Sequence, residues 1–210
     1  MKNVTIKITL LSDTLIGSGE GFGAIIDTDI IFDDLGIPYI PARRVKGCLR
    51  ESAEEVSRML KTFGITLKFI SDVFGTGEKP SPLTFSNFTI EDYEENRQWL
   101  GYFTEEYKNI ISRDAILDTF TMIRQQTAIE DGVAREHSLR TIRVLKKGEV
   151  FKGDIKTEDD NAIKLLSFAC LNLRHLGTKR NRGFGEVECK LFESTKEISY
   201  LKELEGLCKS

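Results

Sequence analysis

The chain has 210 residues, 40% of them hydrophobic, which suits one large domain with a core of its own. Its 30 Lys and Arg against 33 Asp and Glu leave a net charge of −3, which argues against the all-positive coat of a nonspecific nucleic-acid binder. No apolar run approaches a membrane span, and the N-terminus lacks a signal-peptide pattern, so a soluble, cytoplasmic protein with no membrane partner is expected. Cys48, Cys170, Cys189 and Cys208 are scattered without a C-x-x-C, which fits reduced thiols, three of them at apolar positions, better than disulfides or zinc.

Val4, Ile6, Ile8 and Leu10 alternate with polar residues and predict a half-buried strand. Glycines at 17, 19, 21 and 23 follow, a loop able to bring backbone close to a ligand. Residues 24–32 read as a second strand carrying Asp27 and Asp29 on one side, about 6–7 Å apart by strand geometry. Those two acids share a site, fill turns or pair with nearby arginines. Asp33 to Gly36 is a turn, and Pro38 and Pro41 hold the chain extended before a helix whose apolar face is Val45, Cys48, Leu49, Ala53, Val56, Met59 and Leu60. Arg43, Lys46, Gly47 and Arg50 share another face of it, with Arg44 beside them. Cations in a first turn oppose the helix dipole, so either an anion sits at the helix start or the side chains pair with Asp33, Asp34, Glu51 or Glu54.

Phe74-Gly75-Thr76-Gly77 and Pro80-Ser81-Pro82 read as a connection into a short strand over 83–90. Residues 91–107 are acidic and aromatic, with Tyr93, Trp99, Tyr102, Phe103 and Tyr107 better suited to packing or to a neighbouring subunit than to stacking bases amid repelling carboxylates. From 113 to 155 the pattern loosens into a long, exposed, basic hairpin or loop with Arg124, Gln125 and Gln126 on its flank, ending in a core strand. Asp159 or Asp160 caps a helix running to about His175 and ended by Gly177. A glycine-rich basic loop, Lys179, Arg180, Asn181, Arg182, Gly183, Phe184 and Gly185, then leads into a strand with Val187, Cys189 and Leu191 inward, and it is suited to phosphate through amides and guanidinium groups. The region from Lys196 to Cys208 reads as a short amphipathic helix. The order strand, helix, strand, strand, helix, strand predicts an α+β fold with a ferredoxin-like (RRM-like) βαββαβ core, enlarged at about 61–82, 91–117 and 124–143 within a single 1–210 domain.

Three segments together resemble a known family. The Ile37-Pro38-Tyr39-Ile40-Pro41 run with its Lys46-Gly47, the Val73-Phe74-Gly75 step and the Arg180-to-Gly185 loop are similar to the RAMP superfamily of CRISPR-associated proteins. Layout is most similar to the repeated backbone subunit of type III effector complexes, with 91–117 matching weakly. The resemblance implies a subunit that stacks with copies of itself and other effector subunits along a CRISPR guide RNA. It also implies a thumb-like hairpin, here 124–143, that interrupts the guide–target duplex. An aspartate upstream of the I-P-x-x-P motif cleaves target RNA in that family; it falls on Asp27, with Asp29 as second candidate where the family often has proline. Implied RNA contacts are Arg43, Arg44, Lys46, Gly47, Arg50, Arg124, Gln125, Lys179, Arg180, Arg182, Gly183 and Gly185, with the guide's backbone along Arg43, Arg44, Lys46, Arg50 and the 179–185 loop, although Ala42-Arg43-Arg44 stands where the family has Gly-Ser-Ser. The implied activity is endoribonuclease cleavage by 2′-hydroxyl attack, with a divalent cation, Mg2+, on Asp27. Alternatives are a non-catalytic guide-binding subunit, a guide-processing endonuclease using His137 and His175, and a metabolic enzyme holding a nucleotide in its glycine loops.

Overall fold

Strand β1 (Lys2–Leu10) buries Val4, Ile6, Ile8 and Leu10 to 1% exposure or less and turns its polar residues to the opposite face. In the computed structural model, which describes residues 1–19, 26–65, 70–76, 78–108 and 110–209, this strand is the centre of the molecule. The other strands are β2 (Tyr39–Ile40), β3 (Thr84–Phe85), β4 (Phe88–Ile90), β5 (Thr121–Gln126), β6 (Ile129–Glu130), β7 (Val133–Ala134), β8 (Arg140–Leu145), β9 (Val150–Thr157), β10 (Val187–Glu193) and β11 (Lys196–Glu197). The helices are α1 (Ala42–Lys61), α2 (Ile70–Phe74), α3 (Tyr93–Glu106), α4 (Arg113–Phe120), α5 (Asp160–Asn172) and α6 (Leu201–Lys209).

Among the described residues a seven-stranded sheet runs β11-β10-β1-β9-β4-β2, with β3 also on β9, and its pairings are antiparallel. The fold is thus a mixed α/β fold on an antiparallel sheet. Val45, Leu49 and Ala53 of α1 and Ala162, Leu166 and Ala169 of α5 join the apolar cluster built on Val4, Ile6 and Ile8. Ser52 donates to the Ala169 carbonyl at 2.8 Å and locks the two helices together. Pro41 caps α1 without a side-chain bond, and the motif residues Ile37 and Ile40 are fully buried, which explains their place ahead of the helix.

Several sequence expectations change. Residues 26–32 form no regular strand; Thr28, Ile30 and Phe32 make single bridges to Ile142, Gly17 and Pro38, so the alternation reflects three different partners. Ile25, Gly21 and Gly23 of that loop, and Gly77, lie outside the described residues, as does the Cys208 side chain. The 83–90 strand is interrupted at Ser86-Asn87, where Ser86 bonds Asp154 across β9. The acidic segment is helix α3, invisible to periodicity because none of its residues is buried. Its rings pack on one another, Trp99 stacked on Phe103 at 6.0 Å and Tyr102 edge-on at 5.6 Å, and Arg97 ties it to Asp33 and Asp34. Helix α4, capped by Ser112, sits within the loosened region. Helix α5 stops at Asn172 rather than His175 because Leu173 is already extended, and the last helix starts at Leu201 after the short β11. No helix among the described residues is long and apolar enough to cross a membrane.

Gly153 of β9 has no room for a side chain: a Cβ there would stand 2.6 Å from the ring of Phe88, itself fully buried. Gly153→Ala is expected to destabilise the fold by about 1–3 kcal/mol, as overpacking does, read as a lowered urea midpoint with an unchanged slope.

Candidate nucleic-acid interface

The predicted projection is an antiparallel ribbon, β5 on β8, with a second small ribbon, β6 on β7, at its tip. Ile142, Val144 and Leu145 anchor its base in the core, while Ile129, Val133 and Leu139 near the tip are exposed. Thr14, just after β1, exchanges backbone hydrogen bonds with Leu145 and closes the base. The described part of the acid segment lies against β8. Asp27 N–H donates to the Thr141 carbonyl at 2.8 Å, and Arg143 N–H donates to the Thr28 carbonyl at 3.1 Å.

The two acids therefore have different surroundings. Asp27 is exposed, and its Oδ2 accepts from Thr141 N–H at 2.7 Å while Oδ1 accepts from Arg140 at 3.2 Å. The Thr141 bond, helped by the Arg140 charge, holds the Asp27 carboxyl below the usual carboxylate range against a smaller opposing effect of desolvation. Asp29 is 5% exposed, accepts from Ile30 N–H at 2.8 Å, and faces Arg143 at 3.5 Å. It is buried while Asp27 is exposed, so the two carboxylates do not share one open face; Thr28 between them bridges Ile142, and Ile30 bridges Gly17.

The cations of α1 divide in the same manner. Arg43 is exposed, whereas Arg44 donates to the Gly17 carbonyl at 2.8 Å and Arg50 to Glu54 and the Gly75 carbonyl. Lys46 is half-buried over the Phe85 ring at 5.9 Å, and burial lowers its pKa. Ala42 N–H is taken by Asn87 and Arg44 N–H by the Pro41 carbonyl, so an anion here would meet side chains more than amides. Gly47 has open space around it.

The glycine-rich loop joins the two regions. Arg180 reaches Glu51 of α1 at 3.7 Å, and Lys179 donates to Gln126 of β5 at 2.6 Å. Gly183 and Gly185 both have positive φ, 77° and 79°. A Cβ on Gly185 would strike the Leu176 carbonyl at 2.1 Å, while one on Gly183 would meet open space, so Gly185 serves the loop's shape. Arg124 is committed to Asp13 at 2.5 Å, an acid the sequence reading passed over, and Gln125 is exposed. Two clefts lie beside the ribbon and share Gln126 and Arg182, one of about 540 Å3 along β5 and one of about 640 Å3 towards the tip. His137 lines the second, and His175 opens on a different cleft between α1 and the end of α5. The structure thus brings Asp27, the ribbon and the 179–185 loop together and keeps the two histidines in separate clefts. Arg140 and Thr141, which hold Asp27, were missed within the 124–143 segment, although cations at 140 and 143 flanking an alternating run were a signal.

Among the described residues no group of three His, Cys, Asp or Glu side chains converges to hold a metal. Any divalent ion here would rest on Asp27 and on oxygens from outside the chain.

Asp27 is expected to titrate below about 4, the ordinary aspartate value, in a carbon-13 NMR titration of its carboxyl. Because the folded value is depressed, the carboxylate's stabilising bonds are fully present above the unfolded pKa and are lost as pH falls through the folded one. Asp27→Asn should therefore narrow its stability gap from the parent as the solution is acidified, followed by urea midpoints at several pH values.

The model of the RAMP superfamily matches residues 7–188. No curated protein matches. A chain of the type III-B Cmr-beta complex, solved by cryo-EM bound to cognate target RNA, superposes with a TM-score of 0.68 at 15% identity, covering 93% of this chain and 99% of that one. A chain of apo Cmr-beta gives 0.63 at 14% identity over the same shares. At such identities the likeness speaks for the fold.

Proposed function

Because the chain belongs to the RAMP superfamily, we propose that it is a guide-RNA-binding filament subunit of a cytoplasmic type III CRISPR complex that cleaves target RNA beside its thumb, the β5–β8 ribbon. The partners in this reading are guide RNA, complementary target RNA, further copies of the chain and other effector subunits. The target RNA named for the solved Cmr-beta complex supports it. We read the core as ferredoxin-like within one 1–210 domain; the order β10-β1-β9-β4, with α1 and α5 as connections, supports this.

The observation that carries the catalytic reading is Asp27 held at the base of the thumb by Thr141 N–H and Arg140. In the proposed reaction the target's 2′-oxygen bonds to the adjacent phosphorus while the bond to the 5′-oxygen breaks. The products are a 2′,3′-cyclic phosphate and a 5′-hydroxyl, the 2′ proton being lost and the 5′-oxygen gaining one. A carboxyl held low is ionised at neutral pH and is a weak proton acceptor, so Asp27 acts as the acceptor that aims the 2′-hydroxyl. Mg2+, held between Asp27 and RNA oxygens, would supply charge neutralisation at the phosphate. Asp29, buried against Arg143, positions the loop.

Guide phosphates would run along Arg43 and the part of the glycine-rich loop from Arg180 to Gly185. Replacing Arg43 and Arg182 together with Gln is expected to weaken guide binding uniformly across sequences and to flatten its salt slope by about 0.7 per cation; an unaltered slope would remove them from the interface. In the assembled complex, Asp27→Ala should lower matched-target cleavage by about 10²-fold or more with guide loading intact. Both oxygens of Asp27 already accept protein hydrogen bonds, which favours a second reading, a guide-binding subunit that does not cut. Cleavage at the parent rate by Asp27→Ala would leave that reading in place.

A further inference from the structure

The cleft of about 640 Å3 between the thumb and the glycine-rich loop is rich in nitrogen: Gln126, His137, Arg140, Lys179 and Arg182 line it, with Glu136 as its acid. Lys179 is fixed there by its bond to Gln126 and by a backbone φ of 60°, a left-handed conformation uncommon for a lysine. Burial first, and the neighbouring Arg182 second, disfavour its charge, with Asp27 opposing them. A half-buried cation held against another cation gains most from an arriving anion. Arg140 is more loosely engaged: its side chain is 61% exposed, and its bond to Asp27 is 3.2 Å against the 2.7 Å bond from Thr141 N–H. The backbone bond keeps Asp27 in place when Arg140 leaves.

We infer that this cleft seats the phosphate of the target nucleotide to be cut, between Lys179 and Arg140, and that Arg140 passes from Asp27 to that phosphate when RNA enters. The inference rests on the target-cleavage reading above. It assigns the transition-state charge to two side chains from different elements, one on the thumb and one on the loop, beside the acid that aims the nucleophile. It also makes the substrate uncover Oδ1 of Asp27, the oxygen that Arg140 occupies in the free chain.

The test uses the guide-loaded complex carrying Arg140→Gln, Lys179→Gln or Asp27→Ala, and two target RNAs. A target with 2′-deoxynucleotides at the cut positions binds without being cut. Its affinity should lose about 0.7 in salt slope per copy for Arg140→Gln and for Lys179→Gln, and none for Asp27→Ala. With all-ribose target, single-turnover cleavage should fall about 10²-fold for Arg140→Gln and Lys179→Gln, with Lys179→Arg recovering most of it. Unchanged slopes in both Gln variants would overturn the phosphate site. Cleavage by Arg140→Gln at or above the parent rate would show that Arg140 only covers Asp27, and would overturn the exchange. If instead Asp27→Ala cleaves like the parent, the catalytic reading fails by itself, and the slopes still decide whether the cleft holds phosphate.

Discussion

The acid segment between β1 and α1 owes its shape to β8. Among its described residues 26–32 there are only single bridges, and the Asp27 and Thr28 backbone is fixed by Thr141 and Arg143. Beneath it, Asp29 and Arg143 form a buried pair whose Arg143 Nε has no partner among the described residues. Taking one member from such a pair leaves an uncompensated buried charge, at a cost of about 3–5 kcal/mol. The exposed acid is therefore held by a ribbon that is itself anchored by Ile142, Val144 and Leu145, and the site inherits its geometry from the core.

What the sequence made legible follows from burial. β1 and β10 alternate cleanly because each has one face on α1 and α5, and α1 shows a clear apolar stripe for the same reason. The thumb was recognisable as a segment too polar to be core. By contrast, 26–32 alternates as a strand would, yet each alternate residue answers to a different neighbour, information that no local pattern carries. Helix α3 escaped because, among the described residues, only Tyr93 and Leu100 of its apolar side chains pack on the core, while Trp99, Tyr102 and Phe103 pack on one another.

For the candidate site, residue types were readable and their engagements were not. Asp27 and Asp29 were tied on chemistry alone, and only the register of the loop against β8 separates an exposed carboxylate from a buried one. Likewise Arg43, Arg44 and Arg50 look equivalent in sequence, but two of them are committed to Gly17, Glu54 and Gly75. The charge cluster at the helix start thus contains both internal fasteners and an outward cation.

The ribbon also has a mechanical side. Thr141, from which Asp27 hangs, is the first residue of β8 outside Ile142, which is fully buried in the core. A load on the exposed tip would bend the ribbon outside the point that Ile142 holds in the core, so Thr141 lies where the anchored and the projecting parts meet. Occupancy of the tip by a neighbour would then be felt as strain on the bonds between Thr141 and Asp27, and the glycine-rich loop, gripping the other arm through Lys179 and Gln126, would act as the stay that limits the bend.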